Sequence, residues 1–323
     1  MNSLIFNKKL VVSLIGINPL PAFITILNNY DADTELFLVY TEASQDNFGS
    51  KAVAENLKKV IEERINGINI TLLKCDKSDN RKINGCINNL FNSIKNRMKK
   101  DDRVKLLLDY TSGTKAMSAV FAERVLNVNI EGLTTVISYV DDNQNVILED
   151  SNTVGMSRFV RIRDAVKNLD ISIGDVARIH GYKLEKKVKE SVDDNGIRYI
   201  DSSDSAAFIN DNGNRIIVNK VYLLDVKLVL GFESKYINKK ESDNKLNKLK
   251  MELFEFKDKA EKLGGSRSII IYKCRCSNKD GETLKKDIRS AYEYEMNRRF
   301  SIIPHDQQFV NEVKNIYRDE GGR

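Results

Sequence analysis

Lys105-Leu106-Leu107-Leu108-Asp109-Tyr110-Thr111-Ser112-Gly113-Thr114-Lys115-Ala116-Met117 is the stretch from which the rest of the chain reads outward. The run Leu106 to Leu108 is short, continuously apolar and bounded, the pattern of a strand buried on both faces of a parallel sheet. It turns through Thr111 to Lys115 into Ala116 to Val125, which reads as a helix. A strand ending in small hydroxyl residues, a glycine and a lysine as a helix opens suits a phosphate. Backbone N–H groups and the positive end of the helix dipole converge there, with hydroxyls and a cation beside them. The Gly-x4-Gly-Lys spacing of a Walker A loop is absent. The plain alternative is an ordinary strand-to-helix turn with Ser or Thr as N-cap.

Upstream, Lys9 to Ile15 reads as a strand ending in Gly16-Ile17-Asn18-Pro19-Leu20-Pro21, followed by a helix over Ala22 to Asn29. Glu35 to Tyr40 is a second strand ending in Thr41-Glu42-Ala43-Ser44, then a helix from about Ser50 to Ile65. Asn69 to Cys75 is a third strand. Ile83, Ile87, Leu90, Phe91, Ile94 and Met98 mark one face of an amphipathic helix. After the central stretch, Thr134 to Tyr139 and Asn145 to Glu149 read as a hairpin. Alternating strand and helix imply a doubly wound parallel sheet, in which ligands lie at the carboxyl ends of the strands. Ser13 with Asn18, Thr41 with Ser44, and Thr111 to Lys115 all fall on that rim. With no Gly-x-Gly-x-x-Gly, a dinucleotide cofactor is disfavoured.

The chain has 323 residues, 41% hydrophobic and 30% charged, with a net charge of +6. That is enough for two soluble domains, and the charge permits an anionic partner without requiring one. No apolar run approaches membrane-spanning length and the N-terminal residues lack a signal peptide's layout, so a cytoplasmic protein with its four cysteines reduced is expected. Cys274-x-Cys276 lacks a second pair at zinc spacing, and two histidines, His180 and His305, make a His-based metal site or a Ser-His-Asp triad unfavoured.

In the second half, Ser172 to Ala177 reads as a short capped helix ended by His180-Gly181, and Tyr182 to Val192 as a further helix. Arg215 to Leu224 and Lys227 to Phe232 read as a hairpin, Lys245 to Leu263 as a long helix closed by Gly264-Gly265, and Ser268 to Cys274 as a strand. Leu284 to Met296 and Gln307 to Asp319 read as the last helices. Glu233 and Lys235, two apart on a strand, project to one face. A carboxylate there can hold a divalent ion while the lysine orients a water or steadies charge on a phosphate. The alternative is a solvated strand face.

These residues resemble two known families. The first half is similar to the CARF domain, the cyclic-oligoadenylate sensor of type III CRISPR immunity. The similarity lies in Ser13 with Asn18 to Pro21, in Tyr40 to Ser44, and above all in Asp109 to Met117. The second half resembles the PD-(D/E)xK nuclease domain of CARF-nuclease effectors, in Gly181 to Glu185 opening a helix, Phe232-Glu233-Ser234-Lys235 closing a strand, and Lys262 to Gly265 before a strand.

The resemblance implies an α/β chain of three parts: a Rossmann-like doubly wound CARF domain over residues 1–155, a linker with a short helical segment over 156–180, and an α/β restriction-endonuclease-like domain over 181–323. It implies a homodimer whose shared pocket binds cyclic tetra-adenylate as allosteric activator through Ser13, Asn18, Pro19, Thr41, Ser44, Thr111, Ser112, Gly113, Thr114 and Lys115. The implied output is an endonuclease cutting DNA and/or RNA with Mg²⁺ or Mn²⁺. Glu233, Lys235, Asp225 and Glu185 would be its catalytic residues, with Asp225 and Glu233 holding the metal. The family's Glu-x-Asp precedes Glu-x-Lys by some ten residues. That offset carries Lys220-Val221-Tyr222 here, so either Asp225 at the hairpin turn serves or the site is degraded. Degradation would leave a non-catalytic sensor that binds nucleic acid or a partner protein. More distant rivals are a transcription regulator built on Ser172 to Gly181 and a CARF pocket that cleaves its own ligand.

Overall fold

Leu106, Leu107 and Leu108 are each fully buried, because their strand runs through the middle of a sheet covered on both faces. The computed structural model describes residues 7–43, 49–141, 146–151, 157–200, 205–234, 245–274, 282–283, 286 and 300–319. The chain divides into two compact units, Met1–Asp170 and Ile171–Arg323. In the first unit β1 (Lys8–Leu14), α1 (Leu20–Asn29), β2 (Thr34–Tyr40), α2 (Lys51–Arg64), β3 (Asn69–Lys74) and α3 (Asn80–Arg97) come in order. They are followed by β4 (Val104–Asp109), α4 (Lys115–Leu126), β5 (Leu133–Asp141), β6 (Val146–Ser151), β7 (Arg158–Arg161) and α5 (Ile162–Val166).

The sheet runs β3-β2-β1-β4-β5-β6-β7. Its first five strands are parallel, and β6 and β7 are antiparallel additions. The chain winds outward from β1 to β3 and returns to β4 on the other side of β1. The β1/β4 boundary is therefore the switch point at which the strand ends part and leave a crevice. On one face Val12, Leu14, Phe37, Leu106 and Leu108 meet Ile83, Ile87 and Leu90 of α3 and Met117 and Phe121 of α4. Those α3 side chains recur every three to four residues, and Asp79 caps the helix by accepting from the Arg81 and Lys82 amides.

The second unit contains α6 (Ile173–Ile179), β8 (Tyr182–Leu184), β9 (Glu190–Val192), β10 (Arg198–Ile200), β11 (Ala206–Asn210) and β12 (Arg215–Val218). Then come β13 (Lys220–Leu224), β14 (Lys227–Glu233), α7 (Lys245–Gly264), β15 (Ile269–Cys274), β16 (Phe300–Pro304) and α8 (Phe309–Asp319). A mixed sheet runs β16-β15-β14-β13-β10-β9, and a small antiparallel one runs β12-β11-β8. Tyr222, Leu224, Val229, Ile271 and Ile303 meet Phe309 and Val313 of α8 on one face of the larger sheet. Elsewhere in this unit, Phe256 of α7 stacks on Phe232 with ring centroids 4.2 Å apart, and the Tyr272 hydroxyl donates to the buried Glu252 at 2.6 Å.

Several expectations are corrected. Tyr182 to Val192 is not a helix but the strands β8 and β9. Gly181, at φ +86°, turns the chain out of α6. Tyr182 to Leu184 then pair with β11, and Glu190 accepts from the Ile173 and Gly174 amides at 3.1 and 3.2 Å. These long-range bonds outweigh local helix propensity. Arg215 to Leu224 is two strands in different sheets, with Asn219 between them. The segment read as a linker gives β7 and α5 to the first unit and α6 to the second. Of the helix expected over Leu284 to Met296 only Lys286 is described, and it is helical; the rest lies outside the described residues. Cys274 is disulfide-bonded, against the expectation of four reduced thiols, while Cys75 and Cys86 are free. No described helix is long and apolar enough to cross a membrane.

His180 closes α6 half-buried, its Nδ1 2.9 Å from the Val176 carbonyl and its Nε2, which is out of reach of solvent, without a partner among the described residues. Burial lowers its pKa to about 4. A base whose folded pKa is depressed adds stability that is complete above pH 6.5 and drains as pH falls towards 4, about 3 kcal/mol in all. Denaturant unfolding of the second unit at pH 7 and pH 4 will show this loss. His180→Leu will lack it, though less stable at pH 7 by about 1 kcal/mol.

Candidate functional site

At the carboxyl rim of the first unit's sheet lies a cavity of about 250 Å³ lined by Asn18, Pro21, Thr111, Ser112, Tyr139, Val140 and Asp141. It draws on the loops after β1 and β4 and the end of β5, and so sits at the switch point. Asp109, the last residue of β4, organises it. Its Oδ1 accepts from the Thr111 hydroxyl at 2.6 Å and the Thr111 amide at 3.1 Å. The Thr111 oxygen in turn accepts from the Val140 amide at 2.9 Å. The Ser112 hydroxyl donates to the Asn18 carbonyl at 3.0 Å, tying the β1 and β4 loops together. Gly16 makes that approach feasible, since a Cβ there would stand 2.0 Å from the Ser112 carbonyl oxygen.

Asp109 lies wholly inside the protein, and this burial raises its pKa to about 6 against the lowering effect of its Thr111 bonds. Its register partners are Ser13 on β1 and Ser138 on β5. Register partners share a face, so the three form one polar row across the sheet, fully buried.

Of the residues expected to hold a ligand, the structure brings Asn18, Thr111 and Ser112 to the cavity. Ser13 is buried in the polar row instead. Thr41 is buried and its amide donates to Ser50 at 3.0 Å, which anchors the loop before α2. Thr114 caps α4 and donates to the Lys77 carbonyl at 2.6 Å. Pro19 is the N-cap residue of α1, and Lys115 is exposed at the start of α4. Gly113 packs against Leu14 and Ser118. Ser44 lies outside the described residues. Pro21, Tyr139, Val140 and Asp141 escaped sequence reasoning. The missed signal was that β5 is a fifth parallel strand, whose end must reach the same rim as β1 and β4.

The nuclease residues of the second unit do not converge. Leu224 pairs with Lys227, so Asp225 is the first residue of a two-residue turn, at φ +55°. Glu233 is at the far end of β14, roughly 20 Å along the strand from that turn at 3.3 Å per residue. The register thus sets Asp225 and Glu233, the pair expected to hold Mg²⁺ or Mn²⁺, at opposite ends of the hairpin. Glu185 follows β8 in the other sheet and is held by Arg215 at 2.6 Å. Glu233 is 3.8 Å from Lys273. The register places Lys220 opposite Gly231 and Tyr222 opposite Val229, on the face Glu233 shares. Among the described residues no group of three His, Cys, Asp or Glu side chains is placed to hold a metal. Lys235 lies outside the described residues.

No protein-family profile and no curated protein matches the sequence. By structure the chain is similar to Can2 from Sulfobacillus thermosulfidooxidans, solved in complex with cyclic tetra-adenylate. The TM-score is 0.63 at 12% identity, over 95% of this chain and 99% of that one. Protein VC1899 from Vibrio cholerae gives 0.64 at 11% identity, over 98% and 99%. What the chain shares with these two structures is the fold, a mixed α/β architecture built on a largely parallel sheet.

Two outcomes test the site. Asp109 has a folded pKa above its unfolded value, so the stability it contributes is complete below about pH 4 and is lost as pH rises through 6. Asp109→Asn keeps an acceptor for Thr111 without the charge. Its stability relative to the parent will therefore rise by about 3 kcal/mol between pH 4 and pH 7, read from denaturant unfolding of the first unit. Gly16→Ala will push Ser112 away and cost roughly 1–3 kcal/mol by the same measurement.

Proposed function

We propose that this chain is a cyclic-oligoadenylate sensor of type III CRISPR defence, with the cavity at the ends of β1, β4 and β5 as its ligand site. The observation that carries this is the cavity's position: a polar, partly hydroxyl-lined crevice at the switch point of a CARF-type sheet. The likeness to a structure of Can2 holding cyclic tetra-adenylate supports that ring as the ligand. Two copies in a homodimer would present two such cavities to a ligand of two-fold symmetry. The ring would shift the dimer's conformation to the extent that it binds one arrangement more tightly than the other.

For the second unit we favour a non-catalytic output that binds nucleic acid or a partner protein over a metal-dependent endonuclease acting on DNA or RNA. The separation of Asp225 from Glu233, and the Lys220 and Lys273 side chains near Glu233's strand position, support this choice.

Calorimetry and thermal unfolding with cyclic tetra-adenylate test the first proposal. At a hundredfold excess over Kd the ligand will stabilise the protein by about 2.7 kcal/mol, a Tm rise of roughly 5–10 °C. Failure to bind cyclic adenylates of any size overturns it. Labelled single- and double-stranded DNA and RNA, incubated with Mn²⁺ and the ligand, will stay intact. Cleavage that disappears in Glu233→Ala returns the second unit to the endonucleases.

A further inference from the structure

The part of the cavity that β5 contributes differs in chemistry from the rest. Tyr139, Val140 and Asp141 form it, an aromatic ring and a carboxylate in place of the hydroxyls and amide of the β1 and β4 loops. Strand alternation turns Tyr139 and Asp141 to the same side of β5. Tyr110 stacks on Tyr139 with ring centroids 5.5 Å apart and planes 28° apart, which fixes the ring. Even so, 37% of Tyr139 stays open. The intervening Val140 is pinned through its amide to the Thr111 hydroxyl, so the spacing of the two side chains is set by the rim itself. An aromatic ring and a carboxylate two residues apart suit a flat heterocycle bearing an amine. The heterocycle stacks on the ring, and its N–H donates to the carboxylate.

We propose that Tyr139 and Asp141 form a base subsite, Tyr139 stacking an adenine ring and Asp141 accepting from its exocyclic amine. The proposal rests on the cyclic-oligoadenylate reading of the same cavity and adds how the base is chosen. Asn18, Thr111 and Ser112 are left for the sugar-phosphate ring. Asp141 makes the site sensitive to one atom of the ligand, the nitrogen on C6 of the purine.

The test is equilibrium binding of two rings, cyclic tetra-adenylate and the cyclic tetramer of purine riboside, which lacks only that amine. The parent protein will prefer the adenylate by about tenfold or more. Asp141→Ala will bind both rings equally, and Asp141→Asn, which keeps an acceptor, will retain part of the preference. Tyr139→Ala will weaken both rings alike by about 10- to 100-fold, and Tyr139→Phe will restore them. Thermal unfolding without ligand will show that each variant is folded. A parent that binds both rings equally, an Asp141→Ala that keeps the preference, or a Tyr139→Ala that binds like the parent overturns the subsite and leaves the sensor standing. A parent that binds neither ring removes both.

Discussion

The rim of the first unit depends on one shared hydroxyl. Thr111 gives its proton to Asp109 and takes one from Val140, so a single side chain joins the end of β4, the loop that follows and the neighbouring strand β5. The carboxylate that anchors this chain sits in a place hostile to charge. Ser13 lends Asp109 only a weak hydrogen bond, and the Ser138 hydroxyl has no hydrogen-bond partner among the described residues. A polar row of this kind costs stability in a core otherwise made of Val, Leu and Ile. Its return is positional: Thr111 and Val140, both cavity residues, are held from behind. Stability gives way here to the positioning of the rim, as is usual where a crevice is cut into a hydrophobic sheet.

Much of this was legible in the chain. The Leu106 to Leu108 run announced burial on both faces, and the Ile83 to Ile94 spacing announced α3. The turn through Thr111 and Ser112 reads as lying on the rim, and both residues line the cavity there. What sequence cannot show is which way a hydroxyl turns. Ser13, Thr41 and Thr114 look like ligand groups but are buried or tied to backbone, because each strand end and helix start needs its own polar atoms satisfied before any ligand is considered. Tyr139 and Asp141 were hidden for a different reason. Their strand looked like the first arm of a hairpin, and its parallel pairing with β4 is a long-range fact. Lys183 to Lys189 misled through composition: charged residues with spaced apolar ones mimic a helix surface, and β11 overrides that preference.

In the second unit a turn of two residues decides the chemistry. It fixes the register of β13 against β14, and with it the neighbours of Glu233. A carboxylate at the turn is carried to the opposite end of the hairpin from Glu233, whatever its rotamer. Lys273, brought alongside by the parallel pairing of β14 and β15, stands beside Glu233 as a fixed cation.

The last strand of the first sheet has a bearing on how copies of this protein can meet. β7 is four residues long and ends the sheet. Exposed Arg158 and Arg161 bracket an exposed Phe159. So short and cationic a border is a poor template for strand addition. Among the described strands this border disfavours continuation of the ladder, which guards a sheet of this size against open-ended growth.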